Sequence, residues 1–237
     1  MEVFMKEFLF LGDSITDCYH SFDTDNLGEG YVRMIAETLG YGFGKAIVKN
    51  LGYDGFTMPA LKRLWNRISV KIRHPYPNSV NNSGSILQAA SGSGLNSSGP
   101  SAYSPDFITI LIGINDIGII KNTGTDPVFA LEEFKIGYKT LIEQIRETCS
   151  CPILLMEPFI FPHPAEYSAW EPELHKMNDI IKVIAETYRI GYLPLWDRLS
   201  DAAQKHGFHA ITIDGIHLTT QGHRILADAW LNYYNRL

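Results

Sequence analysis

Ser14 stands in the run Gly12-Asp13-Ser14-Ile15-Thr16-Asp17, directly behind an apolar stretch from Glu7 to Leu11. A serine at a tight strand-to-helix turn has its hydroxyl exposed at the end of a sheet, and its own amide can point at an oxyanion. The same short run is served equally well by Asp13, Ser14 or Asp17 capping a helix. Far along the chain, Asp214 precedes His217 by three residues in DGIHLTTQGH. A turn of that length can bring a carboxylate to the imidazole Nδ1, fix the tautomer and leave Nε2 facing a hydroxyl elsewhere. The competing use is a loop Asp and His that cap the last helix. Asn115, in Gly113-Ile114-Asn115-Asp116, can donate its side-chain amide to a developing negative charge or close an Asx-turn. Gly55, at the end of NLGYDG, offers an amide that a substrate can approach closely, or a plain turn. Nucleophile, base, orienting acid and oxyanion donors are the parts of acyl transfer.

Those residues need a frame. Glu7–Leu11, Ala46–Leu51, Phe107–Ile112 and Pro152–Met156 are apolar runs of strand length, and Tyr192–Leu195 is a weaker fifth whose Pro194 favours a sheet edge. Between them lie segments of helical period. Leu131, Phe134, Tyr138, Leu141, Ile142 and Ile145 share one face, as do Leu174, Met177, Ile180, Ile181, Ile184 and Tyr188, and near the end Leu226, Trp230 and Tyr233. Alternating strand and helix implies βαβ units, a parallel sheet and helices on both faces, with functional groups just beyond the carboxyl ends of the strands. Three of the four motifs follow strands, and the fourth precedes the final helix.

Taken in this order, the four motifs resemble those of the SGNH hydrolases, from Phe8 to about Leu231. The family is named for a Ser, a Gly, an Asn and a His, which here are Ser14, Gly55, Asn115 and His217. The chain departs from it in reading GDSI for GDSL and in a long interval between Gly55 and Asn115. The resemblance implies an α/β fold, a three-layer α/β/α sandwich around a flavodoxin-like sheet of five parallel strands. It also implies a serine esterase with Ser14, Asp214 and His217 as its triad and an oxyanion hole made by Ser14, Gly55 and Asn115. No metal or organic cofactor is expected. Asp214→Asn is expected to cost less than loss of His217, since a backbone carbonyl can orient the ring.

Composition narrows the partners. The net charge is −6, without a cluster of Lys and Arg to track phosphates, so nucleic acid is not expected. The longest apolar run, Phe107 to Ile114, is too short to span a bilayer. The start reads as a first strand and not as a signal peptide, and the three cysteines make no disulfide framework, so a cytoplasmic enzyme is expected. Residues 1–237 read as one domain with a Ser/Gly/Asn-rich insertion or loop at about 74–104. The run from Gly40 to Lys45 lacks the spacing and the Ser or Thr of a phosphate loop, and His206 and His209 have no partners for a metal. Pro158 to Trp170 follows the fourth strand, where its aromatics can line a substrate site or pack as a loop.

Thr16-Asp17, Gly30-Tyr31-Val32 and Glu157-Pro158-Phe159 look like the carbohydrate-deacetylase branch of the family. The expected substrate is therefore a short-chain acyl ester, acetyl first, on a small molecule or oligosaccharide. A lysophospholipase, a thioesterase or an arylesterase would use the same machinery. The rival from another class is a non-catalytic sugar- or lipid-binding domain. Self-association into a homo-oligomer is left open.

Overall fold

In β1 (Lys6–Gly12, KEFLFLG) every residue but Lys6 is buried, the signature of a strand covered on both faces in the interior of a sheet. The computed structural model, which describes residues 5–72 and 105–237, places it so. β1 pairs in parallel with β2 (Ala46–Gly52) on one side and β3 (Phe107–Leu111) on the other. β4 (Ile153–Met156) and β5 (Gly191–Leu193) continue outward from β3, giving the order β2-β1-β3-β4-β5, all parallel. This is the flavodoxin-like order expected, with its reversal of winding between β1 and β3. Gly12 is level with Gly52 on one side and Leu111 on the other, so the carboxyl ends of β1, β2 and β3 form one edge.

Strand limits shift by a residue or two from the sequence expectation. β3 stops at Leu111 instead of Ile112, and β4 starts at Ile153 instead of Pro152. β5 spans Gly191–Leu193 and ends before Pro194, which has no N–H to give a ladder; it is the edge strand that this proline favours. The segment at 74–104, read as a loop or insertion, lies outside the described residues.

The helices are α1 (Ser14–Asp17), α2 (Tyr31–Thr38), α3 (Met58–Ser69), α4 (Ile114–Thr123), α5 (Pro127–Thr148), α6 (Glu171–Tyr188), α7 (Trp196–His206), α8 (Phe208–Ile211) and α9 (Thr220–Tyr234). They form two groups: α9 packs with α2, α7 and α8, and α5 packs with α3, α4 and α6. The first group covers the side of β1 that carries Phe8 and Phe10. Trp230 of α9 lies 6.0 Å from the Phe8 ring, 5.5 Å from Phe10 and 5.6 Å from Phe107, and its Nε1 donates to Thr109 Oγ1 at 2.9 Å. Truncating such a fully buried aromatic costs about 3–5 kcal/mol, so α9 is firmly seated. Leu9 and Leu11 alternate to the opposite side. Among the described residues no helix is long and apolar enough to cross a membrane.

Candidate active site

At the end of β1 the backbone of Asp13 is extended (φ −100°, ψ −153°) and its Oδ1 accepts the N–H of Ile15 at 3.1 Å. Asp13 therefore caps α1, and Ser14 opens that helix at the carboxyl edge of the sheet, so the capping weighed for this run falls to Asp13 and not to Ser14. Asp17 does not cap. Its Oδ1 accepts from the His20 amide at 3.1 Å and lies 2.5 Å from His20 Nδ1, while Oδ2 accepts the amide of Asp54 at 3.1 Å.

That last bond belongs to the loop after β2. Tyr53 donates its amide to Gly12 O at 3.2 Å, and Phe56 donates to Tyr53 O at 3.2 Å, closing a turn around Gly55. Gly55 has φ +69°, a conformation that disfavours a side chain, and its Cα faces open space. Buried Asn50 ties this loop to the first one: its Nδ2 donates to Thr16 O at 2.7 Å and Leu27 O at 2.8 Å, and its Oδ1 accepts from Gly52 at 3.0 Å.

Asn115 lies in the first turn of α4, beyond β3. Its Nδ2 donates to Phe56 O at 3.0 Å, which fixes the amide plane and uses one of its two N–H groups. Asp116 accepts the amide of Met58 at the start of α3, at 3.1 Å on each oxygen. The Gly55 loop is thus held by Gly12, Asp17 and Asn115, so the first, second and third motifs meet around it.

The fourth motif approaches from the other side of Ser14. Thr212 pairs with Leu218 in an isolated antiparallel bridge, and its hydroxyl donates to His217 O at 2.9 Å and accepts the Gly215 amide at 2.8 Å. Gly215 has φ +94°, and a Cβ there would meet His163 O at 2.2 Å, so only glycine allows this turn. Asp214 Oδ1 accepts the amides of Ile216 at 2.9 Å and His217 at 2.8 Å. Asp214 Oδ2 sits 2.7 Å from His217 Nδ1, and His217 Nε2 sits 3.0 Å from Ser14 Oγ. The cap of α9 is Thr219, whose side chain accepts from Gly222, so neither Asp214 nor His217 serves that purpose.

Burial works against the charged form of Asp214, but the bonds from the His217 ring and from the two amides outweigh it and hold its carboxyl below the ordinary range. Burial pushes the neighbouring His223 down to about 4, so this ring is neutral near pH 7; its Nδ1 accepts the Tyr31 amide at 3.3 Å. Burial also raises Asp13 and Asp116 to about 7 each. The segment 158–170 packs on the Asp214 turn. Phe161 donates its amide to Gly215 O at 2.8 Å, and Tyr167 stands against the Gly215 Cα. Among the described residues no cluster of three or more His, Cys, Asp or Glu could hold a metal ion.

Sequence reasoning missed Asp17 and Asn50 as struts and Glu157 as an anchor. Glu157 Oε2 accepts the amides of Leu195 at 2.7 Å and Trp196 at 2.9 Å. An acid or amide next to a strand end was the available signal, but the partners lie tens of residues away.

Carboxylate, imidazole and serine in hydrogen-bonded succession are what many serine-dependent acyl-transfer enzymes share across unrelated folds, and here they stand at the carboxyl edge of a parallel sheet. The chain belongs to the GDSL-like lipase/acylhydrolase family, whose model matches residues 10–225, and it is a carboxylic ester hydrolase. A comparison with curated proteins finds no match. Among solved structures it is similar to a catalytic mutant of the acetylxylan esterase Axe2 from Geobacillus stearothermophilus, with a TM-score of 0.71 and 23% identity over 98% of this chain and 95% of that one. It is also similar to a protein of Parabacteroides merdae described as GDSL-like (TM-score 0.75, 21% identity, 99% of each chain). A third is LAE5, described as an alpha/beta hydrolase enzyme from the metagenome of Lake Arreo, Spain (TM-score 0.72, 20% identity, 98% of this chain and 97% of that one). The catalytic mutants of the Geobacillus esterase replace an Asp, a Ser and a His by Ala, the Asp three residues before the His.

Proposed function

We propose that the chain hydrolyses short-chain acyl esters, acetyl esters of carbohydrates first, through an acyl-enzyme formed on Ser14. The observation that carries this reading is the unbroken path from Asp214 Oδ2 through the His217 ring to Ser14 Oγ, with steps of 2.7 and 3.0 Å. His217 Nε2 takes the serine proton as Oγ attacks the ester carbonyl. The amides of Ser14 and Gly55 and the second N–H of Asn115 receive the oxyanion. The imidazolium, stabilised by Asp214, then protonates the leaving alcohol, and water activated by the same ring releases the acyl group. The acetyl and sugar preference is supported by the likeness to an acetylxylan esterase whose catalytic mutants replace the same three residue types.

The test is a panel of p-nitrophenyl esters from acetate to octanoate, run beside acetylated xylose. Turnover is expected to be highest for acetate and to extend to the sugar ester. Preference for octanoate would favour the lysophospholipase or thioesterase alternatives, and turnover of the p-nitrophenyl esters without the sugar ester would favour an arylesterase. A fluorophosphonate probe should label Ser14 in the wild type and leave Ser14→Ala unlabelled and inactive. Full turnover by a folded Ser14→Ala protein would sink the acyl-enzyme assignment, and a wild type that turns over no ester of the panel would reopen the binding-domain reading.

A further inference from the structure

The end of the sheet away from Ser14 carries a second pair of reactive side chains. Cys149 is the residue that ends α5, and Cys151 lies just before β4. The backbone of Cys149 is extended (φ −150°, ψ 153°), and in extended chain residues two apart project to the same side. Their sulfurs lie 3.4 Å apart. Both are partly exposed and line a cavity of about 660 Å³ together with Arg146, Arg189 and Tyr233.

We propose that Cys149 and Cys151 form a dithiol modification site that reacts reversibly with low-molecular-mass disulfides and closes to an intramolecular disulfide. The sulfurs are already in contact, and closure shortens their 3.4 Å separation to a bond of about 2.05 Å. Cys149 is the attacking sulfur. A hydrogen bond from the Cys151 thiol holds the Cys149 thiol below its ordinary value, and burial opposes this without cancelling it. The bond from Cys149 Sγ to Ile145 O works the other way, but at 3.5 Å it is long. Cys151 is shifted upward, first by its bond to Cys149 and then by burial, with the Asp106 carboxylate adding to the effect; this suits a thiol that waits to resolve.

The exchange balances with glutathione disulfide as oxidant. The Cys149 thiolate attacks one sulfur of glutathione disulfide, that S–S bond breaks, and one glutathione leaves as a thiolate that takes up a proton. Cys151 then loses its proton and attacks the Cys149 sulfur of the mixed disulfide, and the second glutathione leaves. Two protein thiols are oxidised, one disulfide is reduced to two thiols, and two protons pass from the cysteines to glutathione. Cys18 is the internal control. Burial raises its thiol, and its polar neighbour is His223 Nε2 at 3.5 Å.

The experiment incubates the whole protein with glutathione disulfide, quenches with iodoacetamide and reads intact mass and peptides; ester turnover is assayed separately and decides nothing here. Wild type and Cys18→Ser should lose two alkylatable thiols together and retain no glutathione, and dithiothreitol should restore both. Cys151→Ser should stop with one glutathione on Cys149, and Cys149→Ser, which lacks one of the two sulfurs, should form no intramolecular disulfide. A wild type whose two thiols stay alkylatable, one that ends with glutathione on either cysteine, or one that joins two chains through these residues overturns the proposal.

Discussion

Asp214→Asn is the most informative substitution at the site, because the structure dictates which way the new amide must face. Asp214 Oδ1 already accepts two backbone amides, from Ile216 and His217. In the Asn variant that position must stay an oxygen, since an NH₂ there would confront two donors. The NH₂ therefore replaces Oδ2 and donates to His217 Nδ1. The ring is driven to carry its hydrogen on Nε2, the nitrogen 3.0 Å from Ser14 Oγ, and so cannot accept the serine proton. A locked wrong tautomer costs about 10⁴ in kcat, or ~5.4 kcal/mol. The side chains of Asp214 and His217 are 48% and 45% exposed, so water screens the part of that loss due to charge. The expected loss is ~10³–10⁴ in kcat, with KM little changed. This reverses the milder outcome anticipated from the sequence, where a backbone carbonyl was free to take over. Steady-state kinetics on p-nitrophenyl acetate give the rate, and ¹⁵N-edited NMR of the imidazole gives the tautomer. A variant that keeps more than about a tenth of kcat, or whose ring bears its hydrogen on Nδ1, refutes the reasoning.

His217→Ala should abolish turnover, whereas His223→Ala should keep kcat within about ten-fold and lose ~1–3 kcal/mol of stability in urea, because it strands the buried Tyr31 amide. An inactive His223→Ala beside an active His217→Ala would reverse the assignment. Asn115→Ala removes the oxyanion donor proposed above and should lower kcat by ~10²–10³, with KM changed much less; equal losses in kcat for Asn115→Ala and Ile119→Ala would deny it that part. Asp13 and Asp116 are raised to about 7, so between roughly pH 4 and 7 the folded state holds protons that the unfolded state has released. Unfolding free energy should therefore fall as pH rises through that window, by about 1.4 kcal/mol per pH unit for each extra proton held. Urea melts of wild type and Asp116→Asn at pH 5 and pH 7.5 measure the slope, which should be shallower in the variant.

The parts of this molecule legible in the sequence are those specified by local pattern. β1 and β3 are runs of buried residues on both faces, and α5 and α6 show one apolar stripe each, so their positions follow from periodicity alone. The stripe of α3, with Met58, Leu61, Leu64, Trp65 and Ile68 buried, is equally regular, but this helix is not among the segments expected from the sequence. Asp214 and His217 were readable because three residues separate them. Asp17 also faces a His three residues on, but its part as a strut was not readable, because the amide of Asp54 that its other oxygen holds lies 37 residues on and nothing in the intervening spacing announces that contact.

The contrast between near and far contacts has a consequence for when the protein becomes active. Asp214 and His217 meet across three residues, in a turn closed by its own backbone, whereas His217 and Ser14 meet across 203. The first contact needs almost no chain closure; the second needs the first strand, the sheet and the last helix all in place. A partly folded chain can therefore hold the imidazole against its carboxylate and still lack the proposed nucleophile, Ser14, beside it. Ester turnover in this protein reports completed assembly from one end of the chain to the other, and intermediates stay chemically silent until the termini are brought together.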